Sequence, residues 1–143
     1  MLVGTVPVRI KIHSTTRDES GVLPAVIQEH QGMLLEKNGK FYAMYQENSQ
    51  ENFGLTKTTI KWEKDRVLIL RSGALEHRQE FMKDMRQESL YRTPYMEIPL
   101  VTTTSYVYCF QRDKRWNLEV EYTLAHGENP YGQVKLLIEI EEV

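Results

Sequence analysis

The sequence predicts an all-β protein, a single antiparallel β-barrel of about eight to ten strands that takes in residues 1–143. Three observations carry this. Along Trp116-Asn117-Leu118-Glu119-Val120-Glu121-Tyr122-Thr123-Leu124 every even position is apolar and every odd one polar, the period of a strand with one wet face. The same period recurs along most of the chain, with turn residues between the runs. No interval is left for a crossover helix, so the connections are mostly hairpins and the strands antiparallel. A Greek-key sandwich is the structural alternative. Sequential hairpins favour the barrel, whose closure also removes sheet edges that would recruit other chains.

Val6, Val8, Ile10 and Ile12 alternate with Pro7, Arg9, Lys11 and His13 in the first strand, and the Pro suits an edge or an opening position. Arg17-Asp18-Glu19-Ser20-Gly21 ends it. A second strand runs from about Ile27 to Lys37, where Gly32 suggests a bulge or tight bend of the kind that curves a barrel. Asn38-Gly39 tolerates positive φ at both central positions of a type I′ turn, so it closes a hairpin into a strand from Lys40 to about Glu47. Asn48–Asn52 reads as a polar loop.

Thr56, Thr58, Ile60 and Trp62 then face one way and Lys57, Thr59, Lys61 and Glu63 the other, before a turn at Lys64-Asp65. Val67-Leu68-Ile69-Leu70 is apolar on both faces, which calls for a strand covered on both sides. Arg71-Ser72-Gly73 reads as a sharp interruption. Ala74 to Leu90 is rich in helix formers, yet Leu75, His77, Gln79 and Phe81 alternate with Glu76, Arg78 and Glu80. The periodicity favours a strand to about Lys83, a turn, and another strand from Ser89 to Thr93, with a helix as the alternative. Pro94 and Pro99 bracket an irregular crossing. Leu100 to Phe110 is rich in residues suited to a pleated surface, and Arg112-Asp113-Lys114-Arg115 turns it into the strand from Trp116. His126 to Gly132 forms the last loop, and Val134, Leu136, Ile138 and Ile140 mark the final strand.

A chain of 143 residues fits one domain with one continuous core. Its 18 basic and 20 acidic residues alternate in sign rather than segregate, which argues against nucleic acid as a partner. The single Cys109 rules out an internal disulfide framework and fits a reducing compartment, where it reads as a small core residue. Met1 to Arg9 lacks the long apolar run of a secretory signal, and no stretch reaches the roughly 18 apolar residues needed to cross a bilayer as a helix. Charged strand faces argue against a transmembrane barrel. The expectation is a cytoplasmic protein with no membrane contact.

His13, His30, His77 and His126 lie in separate segments without the spacing of a metal pair, so no metal or other cofactor is expected. Strand parity puts His77 beside Leu75, Gln79 and Phe81 on the inward face, where a polar group must find a partner in protein, water or ligand. Arg71 follows a wholly apolar strand, and a buried guanidinium seeks a carboxylate or phosphate of matching fork geometry. It would anchor the carboxylate of an amphipathic ligand, or pair with a structural carboxylate or with carbonyl groups at a bulge. Ser72 has no His or Asp placed locally to activate it. Tyr42, Tyr45, Tyr91, Tyr106, Tyr108 and Tyr122 all fall on expected strands, where they line a pocket or fill a core.

At Val67-Leu68-Ile69-Leu70-Arg71-Ser72-Gly73-Ala74 with Phe81 following, at Thr56-Lys57-Thr58-Thr59-Ile60-Lys61, and at Leu118-Glu119-Val120-Glu121-Tyr122-Thr123-Leu124, the chain resembles the YwiB-like family of small uncharacterised bacterial proteins. The resemblance covers most of the chain in order. It implies a calycin-like, lipocalin-type β-barrel and no established activity. One departure falls at Met96, where related chains tend to carry a Gly soon after the Thr-Pro-Tyr equivalent, so the resemblance does not fix the backbone from Thr93 to Pro99.

The functional expectation is a non-enzymatic protein whose interior binds a small apolar or amphipathic molecule, with Arg71, His77 and Gln79 as the polar lining. If the interior is packed solid, an interaction module takes its place, binding a partner or a second copy of itself as a homodimer. An enzyme using His77 with Arg71 is the third reading.

Overall fold

The computed structural model describes residues 4–49 and 54–143, and the loop expected at Asn48–Asn52 falls largely outside them. Eleven antiparallel strands follow in chain order: β1 (Thr5–Asp18), β2 (Gly21–Val22), β3 (Val26–Lys37), β4 (Lys40–Ser49), β5 (Gly54–Glu63), β6 (Arg66–Gly73), β7 (His77–Met82), β8 (Arg86–Arg92), β9 (Glu97–Arg112), β10 (Arg115–His126) and β11 (Asn129–Glu142). They form one sheet in the order β7-β6-β5-β4-β3-β1-β11-β10-β9-β8, with the two-residue β2 folded back on β1. Except for the step that joins β1 to β11, neighbours in this order are connected by hairpins or by the short β2 excursion, as the sequence pattern predicts.

The sheet curls until β7 meets β8, and the barrel is nearly closed. At one end of that seam Glu76 and Arg92 exchange two backbone hydrogen bonds of 2.9 Å, and at the other the turn between β7 and β8 is closed by Met85 N–H donating to Met82 O at 3.0 Å. Between them the Gln87 carboxamide stands in for a peptide group: its Oε1 accepts from Glu80 N–H at 2.8 Å and its Nε2 donates to Arg78 O at 3.4 Å.

Register stacks the inward side chains of β4 to β7 into rows. Phe41, Trp62, Val67 and Phe81 form one, Ala43, Ile60, Ile69 and Gln79 the next, and Tyr45, Thr58, Arg71 and His77 the third. The first row, joined by Trp116 from β10, plugs one end of the barrel: the Phe41 ring lies 5.4 Å from Trp62 and 5.7 Å from Trp116, and Phe81 is fully buried. The opposite wall, from β1, β10 and β11, is aliphatic, with Ile10, Leu118, Val120, Ile138 and Ile140 at 2% exposure or less. These side chains come from alternate positions, so the period-2 pattern is the direct cause of the packed core.

Several local expectations change. The strand does not break at Arg71-Ser72-Gly73 but continues to Gly73, because Thr56, Lys57 and Thr58 supply partners in register. Gly32 is no bulge, since the β1–β3 register runs through it; a Cβ there would sit 2.3 Å from Met44 O, so the glycine lets β4 cross the inside of β3. The Ala74–Leu90 segment is two strands, β7 and β8, starting at His77 and Arg86 around a turn in which Asp84 has φ 64. Thr93 to Met96 is a tight turn rather than an irregular crossing. Thr93 Oγ1 accepts from Tyr95 N–H at 3.2 Å and Met96 N–H at 3.1 Å, and Met96 needs no positive φ. Pro99 lies within β9 opposite Leu90, beyond the point where β10 begins to pair, so its missing N–H costs no ladder bond. The last loop shrinks to Gly127-Glu128, with a bulge at Tyr131 absorbing the rest.

Leu68, on the outer face of β6, is only 8% exposed, as the doubly apolar run requires. Its register neighbours are Lys61 and Glu80, and Arg66 and Arg78 both pair with Glu80 to complete the cover. Pro7 accepts from Val143 N–H at 3.1 Å, just outside the first β1–β11 pair, so the proline occupies an opening position on that side of β1.

Candidate functional site

Above the aromatic plug the barrel is not filled. A cavity of about 300 Å³ lies in the lumen, and Arg71, His77 and Gln79, the residues singled out from the sequence, all line it. So do Tyr45, Tyr91 and Tyr122, while the remaining wall is mainly aliphatic, including Ile12, Ile69, Leu124, Leu136 and Ile138. Val26 and Gln28, both exposed, stand at its mouth. The volume is at the small end of ligand pockets, room for roughly ten non-hydrogen atoms at the ~30 Å³ a water-sized group occupies in a liquid.

The cavity is chemically two-sided. Tyr45, Thr58, Arg71 and His77 stand side by side across β4, β5, β6 and β7. The facing wall from β1, β10 and β11 is aliphatic apart from Ser14 and Tyr122. Among the described residues no Asp or Glu lines the cavity. Among the described residues the Arg71 side chain makes no hydrogen bond and no ion pair. The nearby acid on the inward face of β4, Glu47, is engaged by His30 Nε2 at 3.0 Å.

Burial and, after it, the Arg71 charge set the protonation of the neighbouring groups. Burial, reinforced by the Arg71 charge, pushes the His77 imidazole down from 6.5 to about 4, so it is neutral at physiological pH. Burial raises the Tyr45 and Tyr122 phenols, and Arg71 pulls both the other way. His77 Nε2 lies 2.9 Å from Ser89 Oγ, and its ring meets Tyr91 edge-on at 5.4 Å. Gln79 Nε2 donates to Thr102 Oγ1 at 3.1 Å. The Tyr45 phenol leans toward Thr58 without making a well-formed hydrogen bond, and the buried Thr58 hydroxyl has no other partner. The cavity therefore presents one permanent cation, a neutral imidazole, uncharged hydroxyl groups and the Gln79 amide.

His77 and Ser89 are within the reach expected of a base and a nucleophile, but the arrangement lacks what would activate it. No carboxylate bonds the second imidazole nitrogen among the described residues, and Arg71 opposes the imidazolium that proton abstraction would create. Their contact satisfies a buried imidazole. Cys109 is half-buried with its thiol pushed up to about 12 by burial and by Asp65, far from thiolate reactivity. Among the described residues no three His, Cys, Asp or Glu side chains converge as metal ligands.

A family model described as Domain of unknown function (DUF1934) matches residues 10–138. The chain belongs to this family. It is similar to the "Uncharacterized beta-barrel protein YwiB" of Bacillus subtilis (strain 168), at 24% identity over 122 residues, 85% of this chain and 84% of that one. The crystal structure of the ywiB protein from Bacillus subtilis matches with a TM-score of 0.86 at 22% identity, over 97% of this chain and 93% of the other. That likeness shows a shared barrel.

In this DUF1934 barrel, strand parity brought His77 and Gln79 to the lumen. Tyr45, Tyr91 and Tyr122 were among the six tyrosines expected to line a pocket or fill a core, and Thr58 shares the face of Ile60 and Trp62; what parity did not reveal is that Tyr45 and Thr58 stand in line with Arg71 and Ser89 beside His77, because placement across strands depends on register, which the turns set. A tyrosine at an inward-parity position within two residues of a known core residue, such as Tyr45 after Ala43, was the available signal. Tyr106 and Tyr108 point outward at 41% and 50% exposure. A bulge at Ser105 in β9 reverses parity there.

Proposed function

We propose that the barrel is a binding protein for a small amphipathic molecule, held in the lumen without chemical change, whose anionic head pairs with Arg71. The observation that carries the reading is a guanidinium that, among the described residues, has no hydrogen-bond or ion-pair partner and no acid beside it in the cavity wall. A half-buried charge without a partner is only partly solvated, and a carboxylate with its fork geometry is the natural complement. The aliphatic wall opposite suits the apolar part of the same molecule. Neutral His77 and Gln79 supply directional hydrogen bonds without adding charge, so a monoanion balances the site and a dianion does not.

Isothermal calorimetry with octanoate tests this. Octanoate is expected to bind, and Arg71→Gln to weaken it about 10- to 100-fold, the worth of hydrogen bonds to a charged group. Octan-1-ol, lacking the charge, is expected to bind both proteins alike. Arg71→Gln removes an unpaired charge and should fold at least as stably as the parent. Absence of octanoate binding, or equal binding by parent and variant, overturns the reading.

A second reading, an interaction module, has its own observation in Val22, Leu23, Val26 and Ile27, which follow one another along β2 and the start of β3 and are 40–60% exposed. A stable dimer in sedimentation that Ile27→Glu dissociates would favour it.

A further inference from the structure

β3 and β4 are each paired over most of their length with their outer neighbours, Val26 to Leu35 against β1 and Phe41 to Ser49 against β5. With each other they pair only from Met33 to Lys37 and from Lys40 to Met44. Gly32 marks the vertex: β4 crosses inside it there, and beyond it the two strands part. Among the described residues no backbone hydrogen bond closes the split this leaves in the barrel wall.

A groove of about 530 Å³ runs along the outside of this split, with Gly32, Met33, Met44 and Lys57 among its walls. Tyr45 belongs to both the groove and the lumen cavity. It is the partition between them. The partition is held by side chains alone: the His30 ring stacks on Tyr45 at 4.2 Å and 14°, and His30 Nε2 is held by Glu47 at 3.0 Å and Gln28 at 3.2 Å. Swinging Tyr45 and His30 aside would join the two spaces without breaking a strand ladder. Tyr45 also stands in the same row as Arg71, so a head held at Arg71 has its tail beside the partition.

We propose that the ligand is a long-chain carboxylate whose head sits at Arg71 and whose chain leaves the lumen past Tyr45, through the β3–β4 split, to lie on Met33 and Met44. This rests on the lumen site proposed above. The lumen holds roughly ten non-hydrogen atoms, so a longer chain must exit. Methionine thioethers are soft and adaptable and suit an alkyl chain of variable length. Among the described residues no acid lines the groove, and Lys57 stands at its edge.

Calorimetry with octanoate and hexadecanoate, the latter kept below its micellar concentration, tests the exit. Each methylene withdrawn from water multiplies affinity about fourfold, so hexadecanoate is expected to bind the parent protein at least tenfold more tightly. The double variant Met33→Gln, Met44→Gln should lose most of that advantage and keep the parent's octanoate affinity and thermal midpoint. If octanoate fails to bind or ignores Arg71→Gln, the lumen site itself is wrong. If octanoate binds through Arg71 but hexadecanoate binds no tighter, the chain does not extend and the exit is refuted. Tighter hexadecanoate binding that survives the methionine substitutions sends the chain out of the mouth along Val26 and Ile27, and also refutes it.

Discussion

His77 ties the stability of the barrel to pH, and the sign follows from its surroundings. In the unfolded chain an imidazole takes up a proton near 6.5, but in the folded lumen burial and the Arg71 charge hold that event down to about 4. The unfolded state therefore binds more protons between these two values, and stability falls as pH drops from 6.5 toward 4. Above 6.5 the contribution is fully present, and below 4 nothing further is lost. At about 1.4 kcal/mol per tenfold in proton affinity the whole interval is worth at most roughly 3 kcal/mol. Water reaches the cavity through its mouth, and solvent screening brings the expected figure to about 1–2 kcal/mol. His77→Gln keeps a hydrogen-bonding group beside Ser89 and Tyr91 and removes the titration. Urea unfolding followed by the fluorescence of buried Trp62 and Trp116, from neutral pH down to pH 4, should show the parent protein losing about 1–2 kcal/mol more than the variant. Carboxylates titrating in the same range affect both proteins and cancel in the difference. Parallel stability curves would refute the claim that His77 is held neutral by burial and Arg71.

Two further outcomes test the frame of the barrel. Gly32→Ala drives a Cβ to within 2.3 Å of Met44 O and 2.9 Å of Ile10 Cδ1, so it should cost about 1–3 kcal/mol in chemical denaturation; a neutral result would mean that β4 does not cross inside β3 at this point. Gln87→Ala removes both side-chain hydrogen bonds to β7, for an expected loss of about 1–2 kcal/mol and faster amide exchange at Glu80. Unchanged protection of that amide would show that the seam is closed by something else.

The period-2 pattern made the fold class, most strand positions and the inward face of β7 legible before any coordinates, because alternation alone decides which side chains meet the core. His77 and Gln79 came from that rule. What it leaves out is the relation between strands. Thr58 and Tyr45 stand in line beside Arg71 only because the β4–β5 and β5–β6 hairpins fix a particular register. Arg71-Ser72-Gly73 looked like a break because Gly and Ser interrupt an apolar run, yet paired backbone on β5 carries the strand through. Gly32 suggested curvature, and it does serve the shape of the barrel, but through the approach of another backbone, which no local pattern encodes. The bulge at Ser105 turns the Tyr106, Tyr108 and Phe110 stripe to solvent, where strict alternation from Leu100 would have sent Tyr106 and Tyr108 inward.

The place of β1 between β3 and β11 bears on how the chain folds as it leaves the ribosome. The β1–β3–β4–β5–β6–β7 half can assemble from neighbouring hairpins as it emerges, but β1 stays unpartnered on one side until residues Gln133 to Glu142 have been made. That side is alternately valine, isoleucine and charge, an adhesive edge left open until then. Arg9, Lys11 and Arg17, spaced along it, give the nascent half a way to stay apart from its neighbours until the final strand arrives.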